Sequence, residues 1–88
     1  MEKWTIEKST QEIVEFLKND KQFMSFYHRH ETEENIIELL ANSRRMNYIT
    51  SQYVRDVIDT AKIRTQGMNT WATDIETRKN LAKLAIKN

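Results

Sequence analysis

Apolar residues recur at helical spacings along most of the chain. In the first third they stand at Ile13, Leu17, Met24 and Tyr27, separations of four, seven and three that place them near one face of a helix. Strands would need longer alternation of apolar and polar residues, and no such run exceeds three or four positions. The pattern predicts an all-α protein, a compact bundle of four or five short helices that forms a single domain over residues 1–88.

Polar residues predict where the helices of the first half begin. The Ser-Thr pair at 9–10 precedes Glu12 in the form of a capping box, so the first helix is expected to start there. Asp20 interrupts the apolar stripe and leaves two interpretations of segment 10–29, one helix or two, with Asp20 capping the second. Thr32 is followed by acidic residues that suit a helix N-terminus, which makes it the next expected cap. The helix after it carries the apolar residues Ile36, Ile37, Leu39 and Leu40.

Two further helices are predicted in the second half. One is expected to start at Thr50 or Ser51 and to end near Gly67, the only glycine and a suitable left-handed residue beyond a helix end. Asn69 or Thr70 is expected to cap the last helix. The residues expected to face inward from these two helices are Val54, Val57, Ile58, Ala61, Trp71, Ile75, Leu81, Ala82 and Ala85.

The stretch NSRRMNYITSQYVRDVI, residues 42–58, invites comparison with a helix-turn-helix. A tight motif needs a small residue in its first helix and a glycine-like residue in its turn. Arg44 and Tyr48 occupy those positions, which argues against the tight form. Starting the motif from Ala41 leaves eight or nine residues between the helices, which is long. A looser variant, with the arginines on its turn, stays open.

Charge is distributed unevenly between the two halves. Residues 1–43 hold five Lys/Arg against nine Asp/Glu, a net charge of −4, while residues 44–88 hold nine against four, a net charge of +5. A basic half favours either a polyanionic partner or head-to-tail association of subunits, including a homodimer. The plainer explanation is that two helices are acidic and two are basic.

The last helix carries the clearest basic pattern. Lys79, Lys83 and Lys87 recur every four residues with no acid between them, a line of cations about 12 Å long. Such a line can follow a phosphate backbone, and Arg78 flanks it. The full set of expected nucleic-acid contacts is Arg78, Lys79, Lys83, Lys87, Arg44, Arg45 and Arg64. This predicts a small DNA-binding or regulatory protein, although lysines also collect in last turns because they complement the helix dipole. The lack of proline, the single glycine and the many Ile, Asn and Lys residues suggest a bacterial, phage or mobile-element origin.

A cluster of aromatic residues supports an alternative function. Several large aromatics in the first third are most simply core residues, but their number can exceed what so small a core covers. The surplus would form a face for a protein partner, as in an adaptor or inhibitor that docks through its N-terminal aromatic and acidic helices. The residues expected on that face are Trp4, Phe16, Phe23, Phe26 and Tyr27.

The composition argues against several kinds of chemistry. The chain has no cysteine, so thiolate nucleophiles and thiolate metal sites are excluded. His28 and His30 with Glu31 suggest a metal site, but histidines two apart do not share a helix face and no further ligand pattern is visible. No glycine-rich phosphate loop or nucleophile elbow is present, so we expect a non-enzymatic protein without metal or cofactor. Neither a signal peptide nor a membrane span is expected, which favours the cytoplasm.

Overall fold

Helices make up nearly all of the structure. The computed structural model describes residues 5–28, 32–61 and 66–87, with side chains described for most of them. Within these ranges there is no strand, and the all-α prediction is confirmed. The elements are α1 (Ile6–Asn19), α2 (Lys21–Met24), a 3-10 turn (Ser25–His28), α3 (Glu33–Ala41), α4 (Arg44–Ala61), α5 (Gln66–Thr73) and α6 (Ile75–Lys87). The bundle measures 45 × 21 × 21 Å.

The first helix begins one turn earlier than predicted. Thr5 caps α1, and its hydroxyl accepts the N–H of Lys8 at 3.2 Å. Ser9 lies inside the helix and is only 1% exposed. Its Oγ accepts a hydrogen bond from the Tyr53 hydroxyl at 3.1 Å, so a contact with α4 takes the hydroxyl that resembled a cap.

Two helices, rather than one, occupy the segment 10–29. Asp20 ends α1 in an extended conformation and caps α2, where its Oδ2 accepts the N–H of Phe23 at 2.8 Å. Farther on, Thr32 caps α3 as predicted, through the N–H of Asn35 at 3.3 Å. The Thr32 cap was predicted, and of the two interpretations of segment 10–29 the structure has the one with two helices and Asp20 as a cap. The sequence indicates both positions because capping is a local interaction.

The connection between α3 and α4 is much shorter than predicted. Only Asn42 and Ser43 separate the two helices, and the Ser43 hydroxyl accepts the N–H of Met46 at 3.1 Å. Thr50 is therefore an interior residue of α4, and its hydroxyl donates to the Met46 carbonyl at 2.9 Å. The expected start at Thr50 or Ser51 is wrong, as is the connection of eight or nine residues on which the loose helix-turn-helix depended.

The last two helices also have different boundaries from those predicted. Gly67 lies inside α5 and does not end α4. Asp74, rather than Asn69 or Thr70, precedes α6, and its Oδ2 accepts the N–H of Thr77 at 3.2 Å. Ile75, which was expected to face inward, is 38% exposed at the first position of α6.

The core lies where α6 packs against α1 and α3. Its fully buried side chains are Ile13, Leu17, Phe23, Leu40, Met46 and Leu81. A smaller apolar cluster joins α4 to α5 through Val54, Met68 and Ala72. None of the helices within the described ranges combines the length and apolarity that a bilayer crossing requires.

Candidate functional site

The three lysines of α6 lie together, but acidic residues share their surface. Lys79, Lys83 and Lys87 line one shallow depression of about 330 Å³, as their spacing predicts. The other side of this depression belongs to α3, which contributes its acidic residues Glu33, Glu34 and Glu38. Packing of α3 on α6 thus places three carboxylates beside a stripe that is free of acids in the sequence. Because these carboxylates share the depression with the lysines, their negative charge opposes the attraction of the lysines for phosphates.

Two of these lysines have ion-pair partners. Lys87 Nζ is 3.7 Å from Glu33 Oε1 across the α3–α6 boundary, and Lys79 Nζ is 4.0 Å from Glu76 Oε1 within α6. The side chains of Lys87 and Glu33 are each more than half exposed, so the pair holds the helices together only weakly. The pairing nevertheless lowers the positive potential of the stripe.

Arg78 is a structural residue and does not extend the lysine stripe. Its Nε donates to the Ala72 carbonyl at 3.0 Å, and its Nη2 donates to Asn47 Oδ1 at 2.9 Å and to Thr50 Oγ1 at 3.4 Å. Burial of the guanidinium lowers the pKa of Arg78 from its usual value. Since these hydrogen bonds join α6 to α5 and α4, Arg78 has a structural role; its contact with phosphate stays a prediction.

The paired arginines of α4 have different roles. Arg45 makes two hydrogen bonds to Asp20, Nε to Oδ2 at 2.9 Å and Nη2 to Oδ1 at 2.7 Å. The Arg45 hydrogen bond holds the pKa of Asp20 below its usual value, against the opposing effect of burial. Arg44 is exposed, and no partner of its side chain is found among the described residues. Of the two, only Arg44 is available to an external anion; Arg64 lies outside the described residues.

The aromatic residues divide between core and surface. Phe23 is fully buried, so its predicted place on a protein-binding face is wrong; it fills the core below α2. Phe16 is 60% exposed, Tyr27 is 44% exposed, and Phe26 is half-buried. Trp4 lies outside the described residues. Three of the five predicted interface residues thus keep accessible surface.

A large groove opens beside Phe26, and we refer to it as the α3–α4 groove. It encloses about 990 Å³, and the surface that lines it is mainly apolar. Leu39 and Tyr48 contribute large side chains that are 38% and 53% exposed. The lining comes from α2, the 3-10 turn, α3 and the start of α4: Gln22, Ser25, Phe26, Asn35, Glu38, Leu39, Asn42, Ser43, Arg44, Arg45 and Tyr48.

A second depression continues the same surface toward α1. It encloses about 310 Å³ and is lined in part by Phe16, while Arg45 and Tyr48 border both cavities. The guanidinium carbon of Arg45 lies 5.1 Å from the centre of the Tyr48 ring, a cation–π distance. Arg45 therefore holds Tyr48 between the two cavities and links Phe16 to the α3–α4 groove.

Sequence reasoning missed Leu39 and Tyr48. Four apolar residues at 36, 37, 39 and 40 span too wide an arc for one helix face, and that width is a signal that one of them points outward. Ile36 and Leu40 are buried, which leaves Leu39 on the outer side. The predicted connection between the helices includes Tyr48, so the sequence pattern does not indicate that Tyr48 lies on α4, one helical turn beyond Arg44.

The described residues offer little for metal binding. No group of three or more His, Asp or Glu side chains within the described ranges is arranged to hold a metal ion. His30 and Glu31 of the HRHE segment lie outside those ranges, as does the side chain of His28.

The candidate site is the α3–α4 groove with its extension toward Phe16.

Comparison with known proteins gives no relative for this chain. No protein-family model matches it, and neither the curated proteins nor the solved structures contain a significant match.

Proposed function

We propose that this protein is a small non-enzymatic adaptor or inhibitor that binds a partner protein through the α3–α4 groove and acts in the cytoplasm. The observation that carries the proposal is the exposure of Leu39 and Tyr48 beside half-buried Phe26, around one 990 Å³ groove. Contiguous apolar surface of this kind, rimmed by polar side chains, is typical of protein-binding sites.

The charged residues favour a protein partner over nucleic acid. Arg78 and Arg45 each donate hydrogen bonds to internal partners through Nε and Nη2, which orients both guanidinium groups within the protein and disfavours their use along a phosphate backbone. Two of the six basic residues predicted on α4 and α6 are thus held by internal partners. Aromatic side chains with a polar atom, such as Tyr48, suit an interface that is dry in its centre and wet at its rim.

Site-specific photo-crosslinking in the native host tests this proposal. A photoreactive phenylalanine analogue at Leu39 should capture one discrete partner protein, because that side chain lies on the groove. The same analogue at Ile75 is a matched control, since both side chains are 38% exposed and Ile75 does not line the groove. Equal capture at the two positions, or none at either, would contradict the proposal.

Nucleic-acid binding is the second candidate, and one observation favours it. The three α6 lysines do line a single depression, and Lys83 is exposed there. Fluorescence anisotropy with a labelled duplex and a labelled single strand, at about 50 and 200 mM salt, tests this function. A steep loss of affinity with salt that disappears in the triple variant Lys79→Gln, Lys83→Gln, Lys87→Gln would support it. Absence of binding at the lower salt would rule it out.

A further inference from the structure

The backbone around the α3–α4 groove leaves recognition to side chains. The lining belongs to helices and a 3-10 turn, apart from Asn42 and Ser43, and even their N–H groups donate to the carbonyls of Glu38 and Leu40. A partner strand would need a row of free backbone groups to pair with. The described lining of the groove presents no such row. A partner therefore cannot bind these residues by adding a β-strand.

The shape of the groove fits a short helix. The face that α3 turns toward it consists of Asn35, Glu38, Leu39 and Asn42, spaced at i, i+3, i+4 and i+7. At 1.5 Å per residue this face is about 10 Å long, the length of two helical turns. Helices pack on one another at interaxial distances of about 8–10 Å, which lets an occupant of that length lie against α3. The volume of about 990 Å³ is sufficient for several large side chains from one side of such a helix.

The charges around the groove indicate which charge the bound segment should carry. Arg44 is exposed at its α4 end and has no described partner, whereas the charge of Arg45 is balanced by Asp20. Among the described residues that line the groove, Glu38 is the only acid, and it also borders the depression that holds the three α6 lysines. Three lysines face three α3 acids in that depression, so Glu38 lies beside positive charge there, whereas Arg44 has no acidic partner among the described residues.

From this shape and charge we propose that the groove binds an amphipathic, acidic α-helix of a partner protein. The occupant is about two turns long. Its apolar face packs on Phe26, Leu39 and Tyr48, and one of its carboxylates pairs with Arg44. This inference rests on the proposed function and adds the chemical class of the partner to it.

Selection from a displayed library of random 16-residue peptides tests the inference with the intact protein as bait. The expected consensus has large apolar residues at i, i+3 or i+4 and i+7, with Asp or Glu near one end, and selected peptides become helical on binding by circular dichroism. Affinity should fall at least about tenfold, a typical effect of losing an anchoring contact, for Leu39→Ser and for Arg44→Glu. The matched controls Ile75→Ser and Arg55→Glu, both outside the groove lining, should bind as the parent does.

Exchanging the charges of the peptide and of residue 44 gives the decisive test. Replacing the peptide's conserved acid by Lys should weaken binding to the parent protein and strengthen binding to Arg44→Glu. Basic or extended consensus peptides that still depend on Leu39 would overturn the acidic-helix inference and leave the proposed function standing. Peptides insensitive to both groove substitutions would overturn the inference and the proposed function together. Self-association in sedimentation that Leu39→Ser abolishes would identify a second copy as the occupant and also overturn the inference.

Discussion

Arg45 and Asp20 form a two-point ion pair that joins the first turn of α4 to the break between α1 and α2. The two hydrogen bonds measure 2.9 and 2.7 Å, and the Asp20 side chain is only 13% exposed. Its Oδ2 also accepts the N–H of Phe23, so the same carboxylate caps α2. One side chain thereby fixes both the helix boundary and the position of Arg45, which in turn holds Tyr48 at the groove.

Two substitutions at Asp20 separate its roles as cap and as charge. Asp20→Ala removes both and should lower the free energy of unfolding by more than about 1 kcal/mol, the usual cost of a lost cap. Asp20→Asn keeps a good cap and removes only the charge, so it should lower the free energy of unfolding by less than Asp20→Ala does. Urea denaturation at pH 7 measures the free energy of unfolding of both variants. Glu15→Ala is the control: it removes an exposed ion pair with Lys18 and should change the stability little. Equal losses for Ala and Asn would contradict the dual role.

Low pH should weaken the ion pair between Asp20 and Arg45. Because Arg45 holds the pKa of Asp20 below its usual 3.8, the unfolded chain takes up this proton at a higher pH than the folded protein does. The stabilisation is therefore complete above a pH of about 4 and is lost as the pH falls through the folded-state pKa. The difference in unfolding free energy between the parent and Asp20→Asn should be constant from pH 7 to about 5 and shrink toward pH 2.5. A difference that persists unchanged at pH 2.5 would refute this assignment.

Arg78 should behave as a structural residue in stability measurements. Arg78→Ala removes donors from the Ala72 carbonyl and from Asn47, and we expect it to cost about 1.5–3 kcal/mol, the range for hydrogen bonds that involve a charged group. Arg78→Lys should recover only part of this, since an ammonium lacks the planar fork. Thermal denaturation followed by circular dichroism tests both, and Arg55→Ala on the exposed side of α4 is the control. A melting temperature of Arg78→Ala equal to that of the control would show that the network contributes nothing.

The buried hydroxyl of Tyr53 predicts a pH effect at the alkaline end. Tyr53→Phe removes the hydrogen bond to Ser9 and should cost about 1 kcal/mol at pH 7. Burial raises the pKa of Tyr53, so the folded protein keeps its proton at a pH where the unfolded chain loses it. Stability of the parent should fall above pH 10, and the cost of Tyr53→Phe should shrink with it. Denaturation at pH 8 and pH 10.5 tests this, and a cost of Tyr53→Phe that is the same at both pH values would contradict it.

The features that sequence predicted well are those that depend on neighbouring residues. Thr32 was predicted as a cap, and Asp20 was a cap in one of the two interpretations of its segment, because each accepts a hydrogen bond from an N–H three residues away. Ser9 and Thr50 resemble caps equally well in the sequence. Ser9 instead bonds a side chain 44 residues away, and Thr50 bonds within the interior of its own helix. Their true positions follow from tertiary packing, which the local pattern does not contain.

The candidate site could be predicted only in part for the same reason. The spacing of the α6 lysines correctly places them along one depression, but the acids beside them come from α3, about 50 positions earlier. The α3–α4 groove forms only when α2, the 3-10 turn, α3 and the start of α4 come together around Leu39 and Tyr48. Its existence depends on the two-residue connection at Asn42 and Ser43, which the sequence pattern presented as a long loop.

Neutralising the acids of α3 should reveal how far they suppress the lysine stripe. In the triple variant Glu33→Gln, Glu34→Gln, Glu38→Gln, the depression keeps its three lysines and loses the carboxylates that line it. We expect higher affinity for a labelled DNA duplex at about 50 mM salt than the parent shows, with the gain abolished by about 200 mM salt, since the added attraction is electrostatic. A second triple variant at acids away from the depression, Glu7→Gln, Glu15→Gln, Asp56→Asn, changes the net charge equally and serves as the control. If both variants gain affinity to the same degree, overall charge rather than the α3–α6 arrangement governs binding, and the acids of α3 have no specific role.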